Sequence, residues 1–131
     1  MRRIEIGDFL LIAELHCGVA AERLARMPRV LALAHAALAA PFARHGGREA
    51  FPAPHEKAAV YCARIVAYHP LPDGNKRTAY DAMREFLDRN GVDFCHPTDG
   101  LEGTARTIEQ LAANLIGERE FIAWVKARTD G

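Results

Sequence analysis

Apolar residues recur at spacings of three and four along most of the chain, which is the period of helices with one buried face. Asp8 is a candidate N-cap for a first helix, and Pro28 opens a second helix that ends at Pro41. The inward positions are Phe9, Ile12, Ala13 and His16 in the first helix, and Val30, Leu31, Ala34, Ala37 and Leu38 in the second. Residues 41–54 contain two glycines and three prolines, which predicts a long and functional loop.

The second half of the chain is also helical by this criterion. Residues 55 to about 68 are apolar nearly all round, which predicts a helix at the centre of a bundle. A further helix runs over residues 75–89, and Asn90 and Gly91 are typical of its end. Asp99 and Glu102 form a candidate capping box for the next helix, and a last helix follows the break at Gly117. The apolar stripes of these two helices are Leu101, Ala105, Ile108, Ala112 and Leu115, then Phe121, Ile122, Trp124 and Val125. Residues 92–94 are a short extended piece at most, so the pattern predicts one all-α domain over residues 1–131.

Composition and charge limit where the protein is expected to act and which classes of partner it is expected to bind. Seventeen basic residues balance seventeen acidic ones, so no global charge favours direct binding to nucleic acid or to an anionic membrane. The longest uncharged run, residues 30–43, is shorter than the ~20 residues that span a bilayer, and residues 9–13 are too short for a signal peptide. A cytoplasmic location is expected. Cys17, Cys62 and Cys95 form no CxxC pair, which favours buried, reduced thiols.

The loop over residues 69–77, of sequence HPLPDGNKR, holds a candidate anion site. Its proline, aspartate, glycine and asparagine are common in helix connectors, but that does not explain its two adjacent cations. The first turn of the helix at Asn75 offers free N–H groups and a positive dipole end. Gly74 lets a phosphate approach the backbone, and Lys76 and Arg77 add full charge there. Because these cations oppose the helix dipole, a polyphosphate is the expected occupant.

Two further side chains of this loop suit group transfer. Asp73 lies one residue outside the anion site, where a carboxylate can hold Mg²⁺ that bridges phosphates. His69 is the loop residue whose ordinary pKa suits a general base near neutral pH. Together with the anion site, these residues predict phosphoryl or nucleotidyl transfer.

The loop resembles the Fic/Doc signature HxFx(D/E)(A/G)N(G/K)R, with eight of nine residues matching. Leu71 stands where the family usually has a phenylalanine that packs into the core. Residues 29–42, 46–52, 56–59 and 75–79 follow the order seen in death-on-curing (Doc) toxins, so the resemblance covers almost the whole chain.

This resemblance implies the all-α Fic/Doc fold, a bundle of six to seven helices with the active-site loop between two central helices. It implies ATP and Mg²⁺ at the loop, with His69 as the base that deprotonates an acceptor hydroxyl. Asp73 would be the metal ligand, and the phosphate-binding residues would be Gly74, Asn75, Lys76 and Arg77.

Lys76 bears on which group is transferred. AMP-transferring Fic proteins typically have the sequence GNGR at this point of the motif. Doc-like members have NKR in place of NGR, as this chain does. The resemblance therefore implies a toxin that phosphorylates a protein hydroxyl, with a threonine of elongation factor Tu as the expected acceptor, and that inhibits translation. Fic-type AMP transfer is the alternative. The string at residues 98–103 fits the family's inhibitory pattern (S/T)xxxE(G/N), but Gly100 disfavours it, so a separate Phd-like antitoxin is expected.

Readings from other classes have weaker support. An inactive helical binding module is the second alternative, although the complete loop argues against it. Cys95 and His96 are adjacent but have no spaced partners, which disfavours a transition-metal site. Arginines in the first half could serve nucleic-acid binding, but no helix-turn-helix pattern accompanies Arg23, Arg26, Arg29, Arg44 and Arg48.

Overall fold

The computed structural model describes residues 1–129, and within them the chain forms seven α-helices and one short hairpin. The α-helices are α1 (Ile6–Cys17), α2 (Ala21–Leu24), α3 (Pro28–Ala39), α4 (Pro54–Tyr68), α5 (Asn75–Arg89), α6 (Gly100–Ala112) and α7 (Glu118–Thr129). A 3₁₀ turn (Ala40–Phe42) follows α3, and β1 (Arg44–His45) pairs antiparallel with β2 (Arg48–Glu49). The predicted all-α class is confirmed.

Helix α4 lies at the centre of the bundle, as its apolar circumference predicts. It packs against α3, α5, α6 and α7. Nearly every residue from Lys57 to Ile65 is buried, and the Tyr61 ring packs on Phe86 of α5 at a centroid distance of 5.1 Å. Residues 69–74 join α4 to α5, and residues 75–77 form the first turn of α5, so the candidate site lies between two central helices, as expected.

Neither predicted helix cap forms as expected. Helix α1 begins at Ile6, and Asp8 is its third residue, where its Oδ2 accepts a hydrogen bond from the Glu5 N–H at 2.9 Å. Asp8 thus belongs to the first turn of α1 and not to its N-cap position, which Glu5 occupies. Asp99 is the N-cap residue of α6, as predicted, but the expected capping box is absent: its side chain makes no cap hydrogen bond, and its Oδ2 accepts from Arg106 Nη1 at 2.6 Å.

The predicted buried face of α6 is rotated from the real one. Gly103, Thr104, Ile108 and Leu111 are buried, while Leu101 and Leu115 are exposed. Leu115 also lies beyond the end of the helix at Ala112. The face of α7 is correct, with Phe121 and Val125 buried and its other two predicted residues half-buried.

Residues 41–54 are more ordered than a plain loop. Gly46 and Gly47 both have positive φ, at 57° and 79°, which is the backbone that a tight hairpin turn needs. The buried Lys57 ties the hairpin to the core, since its Nζ donates to Glu49 Oε1 at 3.0 Å and to the Phe51 carbonyl. The hairpin is therefore anchored at its second strand.

The three cysteines differ in their exposure. All three cysteines are free, but only Cys62 is buried, and burial raises the pKa of its thiol; Cys95 is exposed and Cys17 half-buried. The expectation of three buried thiols is therefore wrong for two of them.

Residues 92–94 form no strand. Within residues 1–129, every helix is too short or too polar to cross a membrane.

Candidate active site

His69 ends α4 in an unusual backbone conformation. Its φ of 51° and ψ of 57° place it in the left-handed region, which costs a non-glycine residue free energy and is frequent at functional sites. Its N–H still donates to the Ile65 carbonyl at 3.1 Å, and its own carbonyl accepts from Arg29 Nη1 at 3.3 Å. The side chain is exposed. The chain therefore turns sharply at His69 and leaves the imidazole accessible.

Leu71 and Asn75 close the loop on itself. The Leu71 side chain is fully buried, in agreement with its place at the family's core phenylalanine. Asn75 Nδ2 donates to the Leu71 carbonyl and Asn75 Oδ1 accepts from the Leu71 N–H, both at 2.9 Å. Asn75 is 5% exposed. Both polar groups of its side chain are thus engaged in holding the loop, which leaves its main-chain N–H for the predicted phosphate contact.

Gly74 is required by a neighbouring helix. Its φ of 77° is left-handed, and a Cβ added there would lie 2.7 Å from the carbonyl oxygen of His16 in α1. The sequence suggested that glycine at this position admits a phosphate to the backbone. In the structure the space above its Cα is filled by the end of α1, so its first role is to let α1 meet the loop.

The first turn of α5 presents positive charge. The first main-chain hydrogen bond runs from the Thr78 N–H to the Gly74 carbonyl at 3.0 Å, so the three preceding N–H groups lie at the open helix end. No acidic residue occupies this turn. Lys76 and Arg77 are exposed, and within residues 1–129 neither has a carboxylate at salt-bridge distance. This end of the helix therefore presents two cations that form no salt bridge within residues 1–129.

Asp73 stands at the edge of that site. It is exposed, and its Oδ1 accepts from the Gly74 N–H at 2.8 Å. In the part of the chain that the structure describes, Oδ2 has no hydrogen-bond partner. A single carboxylate oxygen completed by water and phosphate oxygens is a usual way to hold Mg²⁺. The residues present therefore fit a metal–nucleotide ligand.

A cavity of about 530 Å³ brings the predicted residues together. It is lined by His69, Asp73, Gly74, Asn75, Lys76 and Arg77, with His16, Val66 and Ala112. A second cavity of about 570 Å³ shares His16, Lys76 and Arg77 with the first and continues between α5 and α6. Each of the two cavities is of the size that small-molecule ligands occupy.

The pair formed by His16 and Asp81 was missed by sequence reasoning. His16 Nε2 and Asp81 Oδ2 lie 2.5 Å apart, joining the last turn of α1 to α5. Sequence patterns predicted only that His16 faces inward. The two residues are 65 positions apart, so no local motif could have joined them.

The alternative transition-metal site gains no support. Cys95 and His96 are exposed, and His96 Nδ1 instead lies 2.8 Å from Thr104 Oγ1. Across residues 1–129, no three His, Cys, Asp or Glu side chains come together as metal ligands.

Comparisons with known proteins agree with the geometry. The sequence model of the Fic/DOC family matches residues 6–87. A curated relative, "Toxin Doc" of Mycolicibacterium smegmatis (strain ATCC 700084 / mc(2)155), is 42% identical over 67 residues, which are 51% of this chain and 52% of that protein. The match thus spans about half the length of that relative. No solved structure matches the chain.

Proposed function

The chain belongs to the Fic/DOC family, and we propose that it is a toxin that transfers the γ-phosphate of ATP to a protein hydroxyl. One observation carries this proposal: His69, Asp73 and the cationic end of α5 line the same cavity. A base, a metal ligand and an anion site in one place are the parts that phosphoryl transfer needs.

Phosphate binding follows from the charge at the end of α5. The open N–H groups, the helix dipole, Lys76 and Arg77 all favour an anion at the same point. Without an anion, the two cations repel each other and oppose the dipole. A triphosphate would relieve both effects, and the arginine fork can bind two of its oxygens.

Asp73 would hold Mg²⁺ through Oδ2, while Oδ1 keeps its bond to the Gly74 N–H. The metal ion would supply charge neutralisation on the phosphates during transfer. The bond to Gly74 fixes the carboxylate relative to the anion site, so that the residue is oriented before the nucleotide binds.

His69 would act as the general base. Its exposed imidazole at the cavity rim is accessible to a hydroxyl on the surface of another protein. The imidazole would take the hydroxyl proton as that oxygen forms its bond to the γ-phosphorus. The bond from the γ-phosphorus to the bridging oxygen then breaks, ADP departs, and the proton stays on His69 until solvent removes it.

Lys76 favours γ-phosphate transfer over AMP transfer. Its side chain lines both cavities. AMP-transferring members of the family typically have a glycine at this position of the motif. A lysine stem fills volume that an α-phosphate would otherwise occupy, which supports an orientation with the γ-phosphate beside His69.

The substrate and the regulator are proposed by similarity to the relative named "Toxin Doc". A threonine of elongation factor Tu is the proposed acceptor, which would make the protein an inhibitor of translation. A Phd-like antitoxin is the proposed inhibitor, folding as a helix into a groove between the first helices and α4.

The test uses ATP labelled at either the α- or the γ-phosphate, with Mg²⁺ and purified elongation factor Tu or a cell lysate. We expect γ-label on protein with the wild type and none with His69→Ala, since loss of a general base typically costs about 10²–10⁴ in rate. His35→Ala, at an exposed position of α3, is the matched control and should keep full activity. Transfer of α-label would identify an AMP transferase, and transfer of neither label would refute the proposal.

A further inference from the structure

The His16–Asp81 pair lies directly beside the phosphate site. The side chains of the two residues are 21% and 37% exposed, and both line the second cavity with Lys76 and Arg77. His16 Nε2 must carry a proton to donate to the Asp81 carboxylate. The pair therefore fixes an acidic side chain close to where phosphates would bind.

Asp81 has a second cation within reach. Arg77 precedes it by four residues on α5, a spacing at which side chains of opposite charge meet on a helix surface. In the structure the carboxylate of Asp81 is engaged with His16, and Arg77 has no carboxylate at salt-bridge distance among residues 1–129. His16 and Arg77 can thus each pair with the Asp81 carboxylate, and in the structure His16 is the partner.

We propose that His16 is a positioning residue that sequesters Asp81 and thereby keeps Arg77 available for phosphate. This inference rests on the phosphate site of the proposed function. Without the imidazole, Asp81 would pair with Arg77, which removes one cation from the anion site.

Two simpler roles for His16 give different expectations. If the pair only fastens α1 to α5, then removing either partner should have the same effect. If His16 itself contacts phosphate, then its loss cannot be repaired by changing Asp81. The Gly74 contact does not confuse these cases, because it involves the main-chain carbonyl and the Cβ of His16, and leucine retains both.

The experiment is a double-mutant cycle on ATP binding, measured by calorimetry with Mg²⁺ for the wild type, His16→Leu, Asp81→Asn and the double variant. We expect His16→Leu to weaken binding about 10- to 100-fold, the worth of a hydrogen bond to a charged group. Asp81→Asn should bind as tightly as the wild type. The double variant should recover to within about threefold of the wild type, because asparagine no longer attracts Arg77.

The control is His35→Leu, the same substitution at an exposed position of α3, which should bind ATP like the wild type. A double variant as weak as His16→Leu overturns the inference, as does an Asp81→Asn variant that is equally weak. If the wild type binds no ATP, the proposed function fails on its own account. The crystal structure of His16→Leu then decides the inference: a salt bridge between Arg77 and Asp81 supports it, and an unpaired Arg77 overturns it.

Discussion

Replacing Gly74 by alanine adds one methyl group at the point where α1 meets the active-site loop. Two costs follow. The left-handed φ of 77° costs an alanine about 1–2 kcal/mol. The new Cβ would also lie 2.7 Å from the His16 carbonyl oxygen, so backbone must shift, and such overpacking typically costs about 1–3 kcal/mol more. We therefore expect Gly74→Ala to lower the free energy of unfolding by about 2–5 kcal/mol.

Gly91 provides a matched control for the conformational cost. Its φ of 71° is nearly the same, but no atom lies within 4 Å of a Cβ added there. Gly91→Ala should cost only about 1–2 kcal/mol. Urea unfolding of both variants at 25 °C, followed by circular dichroism, measures the difference directly.

The difference between the two variants isolates the contact with α1. It should be about 1–3 kcal/mol, and only Gly74→Ala should also reduce phosphate transfer, because the loop must move away from His16. Equal losses of stability in the two variants would refute the reasoning that the end of α1 fixes the loop.

Three other substitutions and one pH experiment test the remaining assignments. Asp73→Ala should abolish the Mg²⁺ dependence of nucleotide binding; an unchanged magnesium titration would remove this residue from the metal site. Lys76→Gly should reduce γ-phosphate transfer and favour AMP transfer, as measured with the two labelled nucleotides. Lys57→Met should destabilise the protein by about 1–3 kcal/mol in urea, because the Phe51 carbonyl loses its donor. The hydrogen bond from Arg89 lowers the pKa of Asp8 in the folded protein below its usual 3.8. Ionised Asp8 therefore stabilises the fold above pH 3.8, and this stabilisation is lost as the pH falls from 3.8 through the lowered pKa. Wild type should therefore lose more stability than Asp8→Asn between pH 6 and pH 3.

The parts of the fold that sequence predicts well are those fixed by local rules. Helix α5 has the predicted bounds, residues 75–89, because a glycine turn precedes it and Asn90 follows it. The end of α4 at Tyr68 was also correct, since Pro70 stops a helix at this distance. The six predicted site residues lie within nine consecutive positions, so no distant contact is needed to bring them to one cavity.

The parts that sequence missed depend on which of several possible polar partners a side chain meets, and in one case on a partner far along the chain. The sequence does not show that Glu5, and not Asp8, is the N-cap of α1, or that the Asp99 carboxylate pairs with Arg106 instead of capping α6. The hairpin has only two residues in each strand, too few for an alternating pattern, and it is held by a lysine eight residues from its partner Glu49. The pair between His16 and Asp81 exists only once α1 is packed on α5.

Lys76 and Arg77 at the start of α5, which have no salt-bridge partner within residues 1–129, would link the protein's stability to the proposed phosphate ligand. Natural selection for thermal stability alone would favour acidic residues in that turn, since they complement the helix dipole. This chain has Lys76 and Arg77 there instead. If they bind phosphate as proposed, stability of the free protein has been traded for affinity. Charge-reversing substitutions at these positions should therefore raise the melting temperature of the free protein. The same variants would forgo the stabilisation that a bound polyphosphate contributes by mass action. A laboratory search for more stable forms of this protein would thus tend to find inactive ones.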